Sequence, residues 1–290
     1  MNKIYCSTGA LLGRPNKRDF YLLEVLSKEL DCDGYELLVY DTWYPVADDL
    51  IAAIKRLKLS IPVVHCEKAL SEKLAGARVW LENGEYPHAE MTPEEDEKSL
   101  GEAIEEFKIN LRLAEELGAH KMVFHMWNGL VSDKHIERNI ERFGIFKEMA
   151  EKAGVLLMAE NVICNTFDPL TNMEAAAKKY PDISFVYDTK MSEFHGQTME
   201  VFSPGHRWMF EKGHVKHLHI NDYDGGIMDW SNFKVLPIGK GHVDFTSFFR
   251  ELKKCGYDGD YTVEATAFNR EGIVDVHMLN ECFADLKKLL

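Results

Sequence analysis

The chain reads VLLMAE at residues 155–160, ISFVYD at 183–188, VKHLHI at 215–220 and GDYTVE at 259–264. Each segment is short, rich in Val, Ile, Leu or Tyr, and followed by turn or polar residues. Short apolar runs with such flanks are typical of buried β-strands. The second half of the chain is therefore predicted to contain four buried strands.

Each of these strands carries a side chain that can bind a metal, at or near its C-terminal end: Glu160, Asp188, His219 and Glu264. A buried ionised carboxylate is costly unless it is paired or bound to a metal. We therefore expect the four side chains to converge on one divalent ion. Their oxygen and imidazole donors suit Mn, Co, Mg or Zn better than a metal that thiolates select. For any one of them alone, a structural ion pair is the alternative.

Strand patterns and helical patterns alternate along the whole chain. Parallel strands need crossover connections, so this alternation predicts a parallel sheet covered by helices. No G-x-G-x-x-G follows the first strand, which argues against an open dinucleotide-binding sheet. Polar groups at the ends of many strands favour a (β/α)8 TIM barrel, an α/β fold, as a single domain over residues 1–290. The predicted strands are 3–8, 34–40, 61–66, 120–126, 155–160, 183–188, 215–221 and 260–265.

The clearest helical pattern runs from Pro93 to Leu117. Thr92 and Glu95 have the spacing of a capping box, and Gly118 supplies the C-terminal stop. The segment 67–92 is too long for a minimal turn between strand and helix. We expect it to form a lid over the mouth of the barrel.

Composition limits the classes of function. The chain has 290 residues, 46% of them hydrophobic and 28% charged, as in an ordinary globular protein with a sizeable core. No apolar stretch approaches the roughly 18 residues of a membrane span, and no signal-peptide pattern begins the chain. The formal net charge of −14 disfavours a nucleic-acid partner. We expect a cytoplasmic protein with a small-molecule partner, and self-association is left open.

Further polar and aromatic residues are predicted near the same mouth. His65 and His125 close the third and fourth predicted strands, and Glu36 lies within the second. They could bind substrate, support the metal ligands or hold a further metal, and a buried histidine bonded to a backbone carbonyl is the plain alternative. Trp127 and Trp80 are candidates for walls that stack on a sugar. His217 shares a face with His219 and is expected to pack inside the barrel.

These motifs together resemble the xylose isomerase-like TIM-barrel superfamily. The resemblance rests on the strand-end Glu, Asp-Thr, H-L-H-I-N-D at 217–222, L-P-I-G-K-G-H-V-D-F at 236–245 and the final strand-end Glu. The segments DGYELLVY and RLAEELGAHKMVFH fit its second and fourth units, so it covers nearly the whole chain. The superfamily includes sugar-phosphate isomerases and epimerases, ketose 3-epimerases, inosose dehydratases and the endonuclease IV branch.

The resemblance implies a metal site formed by Glu160, Asp188, His219 and Glu264. It also implies that the two glutamates act as the acid–base pair. One departure is visible: the family's Asp-x-x-His is Asp188-Thr189-Lys190-Met191 in this chain, and His195 is close enough to replace the missing histidine. His242 is a further candidate for substrate contact.

The sequence thus predicts a metal-dependent sugar or sugar-phosphate isomerase or epimerase that works through an enediolate. A metal-dependent dehydratase of a polyol or inosose remains an alternative, because it would use the same intermediate. An endonuclease IV-like zinc phosphodiesterase is disfavoured by the charge and by the lack of a histidine in YDGGIMDWSNFKV. A sugar-binding barrel without activity is the last alternative.

Overall fold

Eight parallel strands close into a barrel, which confirms the predicted fold. The computed structural model describes residues 2–79, 82, 87–128 and 132–290. Around the barrel the strands follow the order β1, β10, β9, β8, β7, β6, β3, β2. Their bounds are β1 Ile4–Ser7, β2 Gly34–Leu38, β3 Val63–His65, β6 Lys121–Phe124, β7 Leu156–Glu160, β8 Ser184–Asp188, β9 Val215–Ile220 and β10 Asp260–Val263.

A short antiparallel hairpin lies outside the barrel and was not predicted from the sequence. It consists of β4 (Ala77–Val79) and β5 (His88–Glu90), and a 3-10 helix over Lys68–Leu74 precedes it. This segment fills much of the region predicted as a lid. Trp80, proposed as a sugar-stacking wall, lies outside the described residues.

Helices cover the outside of the barrel. The α-helices are α1 Leu23–Leu26, α2 Ala47–Leu57, α3 Pro93–Leu117, α4 Ile136–Lys152, α5 Pro169–Lys179, α6 Thr189–Phe194, α7 Trp208–Glu211, α8 Phe245–Lys254 and α9 Val276–Leu289. Shorter 3-10 segments span Thr8–Ala10, Arg14–Asn16, Phe20–Leu22, Asp41–Val46, Glu200–Phe202 and Trp230–Asn232. None of the helices in the described ranges has the length and apolar character needed to cross a membrane.

Helix α3 begins and ends where the sequence predicts. The Thr92 hydroxyl accepts the Glu95 N–H at 3.3 Å, and the Glu95 carboxylate accepts the Thr92 N–H at 2.9 Å. Gly118 ends the helix with a φ of +74°, a conformation that glycine adopts without steric cost. The buried face of the helix packs Phe107 against the barrel.

Inside the barrel, an apolar layer lies one step below a polar layer. Tyr5, Val63, Val123, Met158 and Val186 form a small buried cluster separate from the main core. Alternate residues of a strand share a face, so the next inward residue comes two positions later. In all five cases that residue is polar: the pairs are Tyr5 and Ser7, Val63 and His65, Val123 and His125, Met158 and Glu160, and Val186 and Asp188. The apolar layer therefore forms a floor beneath a cluster of polar groups at the C-terminal ends of the strands.

Candidate metal centre

Neighbouring strands bring the four predicted ligands together. Glu160 ends β7, Asp188 ends β8, His219 lies near the end of β9, and Glu264 follows β10. Each offers one donor atom, and these four atoms all lie within 4.8 Å of one another. Asp188 and His219 are fully buried, Glu160 is nearly so, and the Glu264 side chain is 11% exposed. Such a set of oxygen and nitrogen donors fits a divalent cation.

Glu160 is the most connected of these carboxylates, because three histidines contact it. Its Oε1 lies 3.0 Å from His219 Nδ1, and its Oε2 lies 2.6 Å from His125 Nε2 and 3.3 Å from His65 Nε2. Burial acts to raise the pKa of Glu160, but His219 and His125 outweigh it and hold that pKa well below its usual value. Glu160 is therefore an anion at neutral pH.

A carboxylate lies near each of the two ring nitrogens of His219. On the Nε2 side, Glu36 Oε2 accepts a hydrogen bond at 3.2 Å, and Glu36 Oε1 lies 3.0 Å from the same nitrogen. Burial acts to lower the pKa of His219, whereas Glu36, Glu264 and Glu160 raise it well above the usual value. A carboxylate on the far nitrogen of a metal-binding histidine fixes the orientation of the ring.

Glu36 lies beneath the candidate ligands, where it contacts one of them; support of a metal ligand is one of the roles that the sequence left open. It is fully buried, and its Oε2 contacts His217 Nε2 at 3.0 Å and accepts the Thr262 hydroxyl at 2.9 Å. His217 packs inside the barrel and hydrogen-bonds there, as predicted. Glu36 thus contacts the centre through His219.

Asp188 is oriented by the backbone and by two asparagines. Its Oδ1 accepts the Met191 N–H at 2.7 Å, and its Oδ2 accepts from Asn221 Nδ2 at 3.1 Å. Its own N–H donates to Asn161 Oδ1 at 2.5 Å. Burial raises the pKa of Asp188 to about 6, and the nearby Glu160 adds to the effect. Crowded carboxylates of this kind are relieved when a cation binds between them.

A second group of donors shares Glu160. His65, His125 and Glu160 also have donor atoms within 4.8 Å of one another, as do Glu36, His65, His219 and Glu264. Burial lowers the pKa of His125 to about 4, so its ring is neutral at pH 7. A neutral imidazole can bind a metal or exchange hydrogen bonds with a substrate hydroxyl.

Two lysines lie beside the carboxylates. Lys68 begins the 3-10 helix after β3, and sequence reasoning missed it; its position just past a strand end was the available signal. Lys190 follows Asp188 and Thr189 in α6 and is only 4% exposed. Burial acts to lower the pKa of Lys68, but Glu264 and Glu160 outweigh it and raise the pKa above its usual value.

Three other predicted residues lie elsewhere. Trp127 is fully buried in the hydrophobic core, and its indole N–H donates to the Val162 carbonyl at 2.7 Å. His195 Nε2 accepts the Cys164 N–H at 3.0 Å and thereby ties two loops together. His242 has a half-exposed side chain, with Nε2 3.5 Å from Glu193 Oε1. None of the three belongs to the donor groups found among the described residues.

The glycine-containing loop at 236–245 is anchored by Asp222. This carboxylate accepts the N–H groups of Tyr223, Gly239, Gly241 and Val243 at 2.8–3.1 Å. A Cβ at Gly241 would lie 2.2 Å from the Tyr223 carbonyl oxygen, so only glycine fits there. Asp222 therefore has a structural role.

Comparisons with known proteins agree with this architecture. A sequence model described as xylose isomerase-like TIM barrel matches residues 25–279. The L-ribulose-5-phosphate 3-epimerase UlaE of Salmonella paratyphi C is 42% identical over 52 residues, which are 18% of this chain and 16% of that protein. The UlaE of Escherichia coli K12 is 40% identical over the same share of each chain. These local matches span less than a fifth of the relatives' length.

Solved structures share the fold over nearly the whole chain. The IOLI protein with a bound zinc atom has a TM-score of 0.71 at 14% identity and covers 99% of each chain. A D-tagatose 3-epimerase-like protein has a TM-score of 0.68 at 17% identity, with 99% of this chain and 96% of that one covered. An L-ribulose 3-epimerase has a TM-score of 0.67 at 15% identity, with 100% and 95% covered. At such identities the likeness concerns the fold alone.

Proposed function

Because this chain belongs to the xylose isomerase-like TIM barrel family, we propose that it is a metal-dependent isomerase or epimerase of sugars or sugar phosphates. The observation that carries the proposal is the convergence of Glu160, Asp188, His219 and Glu264 within 4.8 Å. The epimerases among the relatives and structural neighbours support the same class of reaction. Pentulose phosphates are therefore the first substrates to test, followed by the free ketoses and aldoses.

The four converging side chains would hold one divalent ion such as Mn, Co, Mg or Zn. Such an ion supplies electrostatic stabilisation of the negative charge that develops on substrate oxygens when a neighbouring carbon loses its proton. His219 and Asp188 are held in place from behind, by Glu36 and by Asn221. Their geometry is thus set before substrate binds.

Glu160 and Glu264 are the proposed acid and base. One carboxylate takes the proton from the carbon beside the carbonyl. The other carboxyl group returns a proton to the opposite face of that carbon in an epimerisation, or to the adjacent carbon in an isomerisation. The neutral His125 ring, 2.6 Å from Glu160, can exchange hydrogen bonds with a substrate hydroxyl or with that carboxylate.

Glutamine variants test this assignment. We expect Glu160→Gln and Glu264→Gln each to lower turnover by about 10²-fold or more while the protein stays folded, because a positioned acid or base contributes roughly that factor. Turnover and exchange of the substrate proton with deuterated solvent are measured by NMR over a panel of ketoses, aldoses and their phosphates. Glu174→Gln, in α5 on the outside of the barrel, is the matched control. Turnover close to wild type in both active-site variants would exclude the acid–base roles.

The same NMR experiment distinguishes a dehydratase. Loss of a β-hydroxyl as water changes the oxidation pattern of the carbon skeleton, whereas isomerisation and epimerisation leave the elemental composition of the substrate unchanged. A dehydrated product would leave the proposed metal centre unchanged and would show that the reaction is a dehydration.

One observation favours a second candidate function, metal-dependent hydrolysis of a phosphodiester. The His65, His125 and Glu160 group could hold a second cation beside the first, and Glu160 would bridge the two. Two nearby metals are typical of phosphodiester cleavage. Two or more zinc ions per chain, together with incision of an oligonucleotide that contains an abasic site, would support this candidate. A single ion and no incision would exclude it.

A further inference from the structure

In the described part of the chain, Lys190 is a buried cation without an anionic partner. It is 4% exposed, its backbone N–H donates to Asn221 Oδ1 at 3.0 Å, and its Nζ lies 3.8 Å from the centre of the Phe233 ring. Among the residues that the structure describes, its ammonium group makes no ion pair and no hydrogen bond. A ring face stabilises an ammonium only in part, so a counter-charge is still needed.

Lys68 is the second cation near this end of the barrel, at the start of the 3-10 helix that follows β3. It is half-buried, and in the described part of the chain no carboxylate lies within ion-pair distance of its Nζ. Glu264 and Glu160 nevertheless raise its pKa, against the effect of burial. Lys68 is therefore protonated at neutral pH.

The two lysines lie at the same end of the barrel. Lys68 comes three residues after the end of β3 and Lys190 two residues after the end of β8, so both lie at the C-terminal mouth of the barrel. The nearby carboxylates have other neighbours: Glu160 contacts three histidines, Asp188 accepts from Met191 and Asn221, and Glu264 Oε1 lies 3.8 Å from His219 Nδ1. A cation held by these carboxylates would leave the two lysines still without partners.

We propose that Lys68 and Lys190 form an anion subsite beside the carboxylate cluster, and that the substrate therefore carries a phosphate or carboxylate group. This inference rests on the proposed function, since it places the reacting carbons at the carboxylates and the anionic group at the lysines. Two lysines suit such a group because each ammonium offers several N–H donors to its oxygens. Phe233 lies against Lys190 and helps to hold its side chain in position.

Binding measurements test the subsite without requiring turnover. The manganese-loaded protein is titrated by calorimetry with ribose 5-phosphate, ribonate and ribitol, which carry a phosphate, a carboxylate and no charge. We expect at least one of the anions to bind about tenfold or more tightly than ribitol, the factor that a hydrogen bond to a charged group contributes. The anion that binds more tightly identifies the natural group.

Lysine variants then assign the preference to these residues. We expect Lys190→Met and Lys68→Met each to weaken binding of that anion about tenfold and to leave ribitol binding unchanged. Lys212→Met is the matched control, because Lys212 is exposed and precedes β9 at the opposite end of the barrel. Thermal melting and manganese content establish that each variant is folded and loaded. If Lys190→Met fails to fold, the test rests on Lys68→Met, because Lys68 is only half-buried.

Equal affinity for ribitol and both anions would overturn the proposal, as would an anion preference that survives in both methionine variants. These outcomes are separate from failure of the proposed function. A protein that prefers anions through the two lysines but isomerises no sugar keeps the subsite and loses the proposed reaction.

Discussion

Glu36 Oε1 lies 3.0 Å from His219 Nε2 at the centre of the barrel. The opposite nitrogen of the same ring, Nδ1, lies 3.0 Å from Glu160 Oε1. One imidazole thus connects a carboxylate beneath the candidate metal centre to a carboxylate within it. Glu36 is in turn held by His217 and Thr262, so the orientation of the ring is determined well below the mouth.

Replacing Glu36 should weaken metal binding, although Glu36 lies beneath the four proposed ligands. In Glu36→Gln the Nε2 side of His219 faces an uncharged amide, so the ring is less firmly oriented and less basic. We expect metal affinity to fall about 10–100-fold, the usual effect of losing the partner behind a histidine ligand. Competition titration against a fluorescent chelator measures it, with Glu174→Gln as control. Unchanged affinity would show that His219 does not depend on Glu36.

Metal binding should strengthen as the pH rises. The pKa of Asp188 is about 6, above the 3.9 or so of an unfolded aspartate, because of burial and Glu160. The protonated carboxyl therefore stabilises the metal-free fold at low pH, and this contribution is lost as the pH rises through 6. A cation needs the carboxylate and the unprotonated Nδ1 of His219, so binding must displace protons.

We accordingly expect Mn²⁺ to raise the melting temperature far less at pH 5 than at pH 7.5. Thermal denaturation with and without the ion measures the difference. Calorimetry in two buffers of different ionisation enthalpy counts the protons released. An equal shift at both pH values, with no proton release, would contradict the assignment of Asp188 and His219 as ligands.

Asp222 should contribute more to stability than any ordinary helix cap. In Asp222→Ala four N–H groups lose their acceptor, two of them buried and two partly buried, and each buried group that is left unpaired costs about 1–3 kcal/mol. We expect the free energy of unfolding to fall by roughly 3 kcal/mol or more. Asp244→Ala is the matched comparison, because Asp244 caps α8 through the Ser247 N–H and its loss should cost about 1 kcal/mol. Urea denaturation measures both, and similar losses would argue against the anchoring role of Asp222.

Trp127 should affect stability and not substrate binding. Trp127→Phe removes the indole N–H that pairs with the Val162 carbonyl and leaves a small cavity in the core. We expect a loss of roughly 1–3 kcal/mol in the free energy of unfolding and an unchanged KM for whichever sugar is turned over. A raised KM with unaltered stability would indicate that Trp127 lines the mouth of the barrel and contacts the sugar.

The fold and much of the donor set could be read from the chain because both depend on short-range patterns. A two-residue period fixes which strand residues point inward, and the C-terminal ends of parallel strands meet at one face. These two rules are enough to predict that Glu160, Asp188 and His219 face the same end of the barrel interior. The capping box of α3 is equally local, since Thr92 and Glu95 are three residues apart.

The interactions of those donors could not be read in the same way. The depth of Glu36 and the burial of Trp127 could not be predicted, because depth within a barrel depends on how far each strand is staggered against its neighbours. The burial of Lys190 against Phe233 joins residues 43 positions apart. No pattern along the chain records such a contact.

The sequence by itself determined the alternation of strands and helices, the kind of donors at the strand ends and the family to which they point, because each is set by residues close together in the chain. Only the tertiary structure decided that Glu160 contacts three histidines, that Glu36 supports His219 from below and that, within the described ranges, Lys68 and Lys190 have no carboxylate at ion-pair distance. The physical reason is that closing the barrel fixes distances between residues far apart in sequence, and charge interactions depend on those distances.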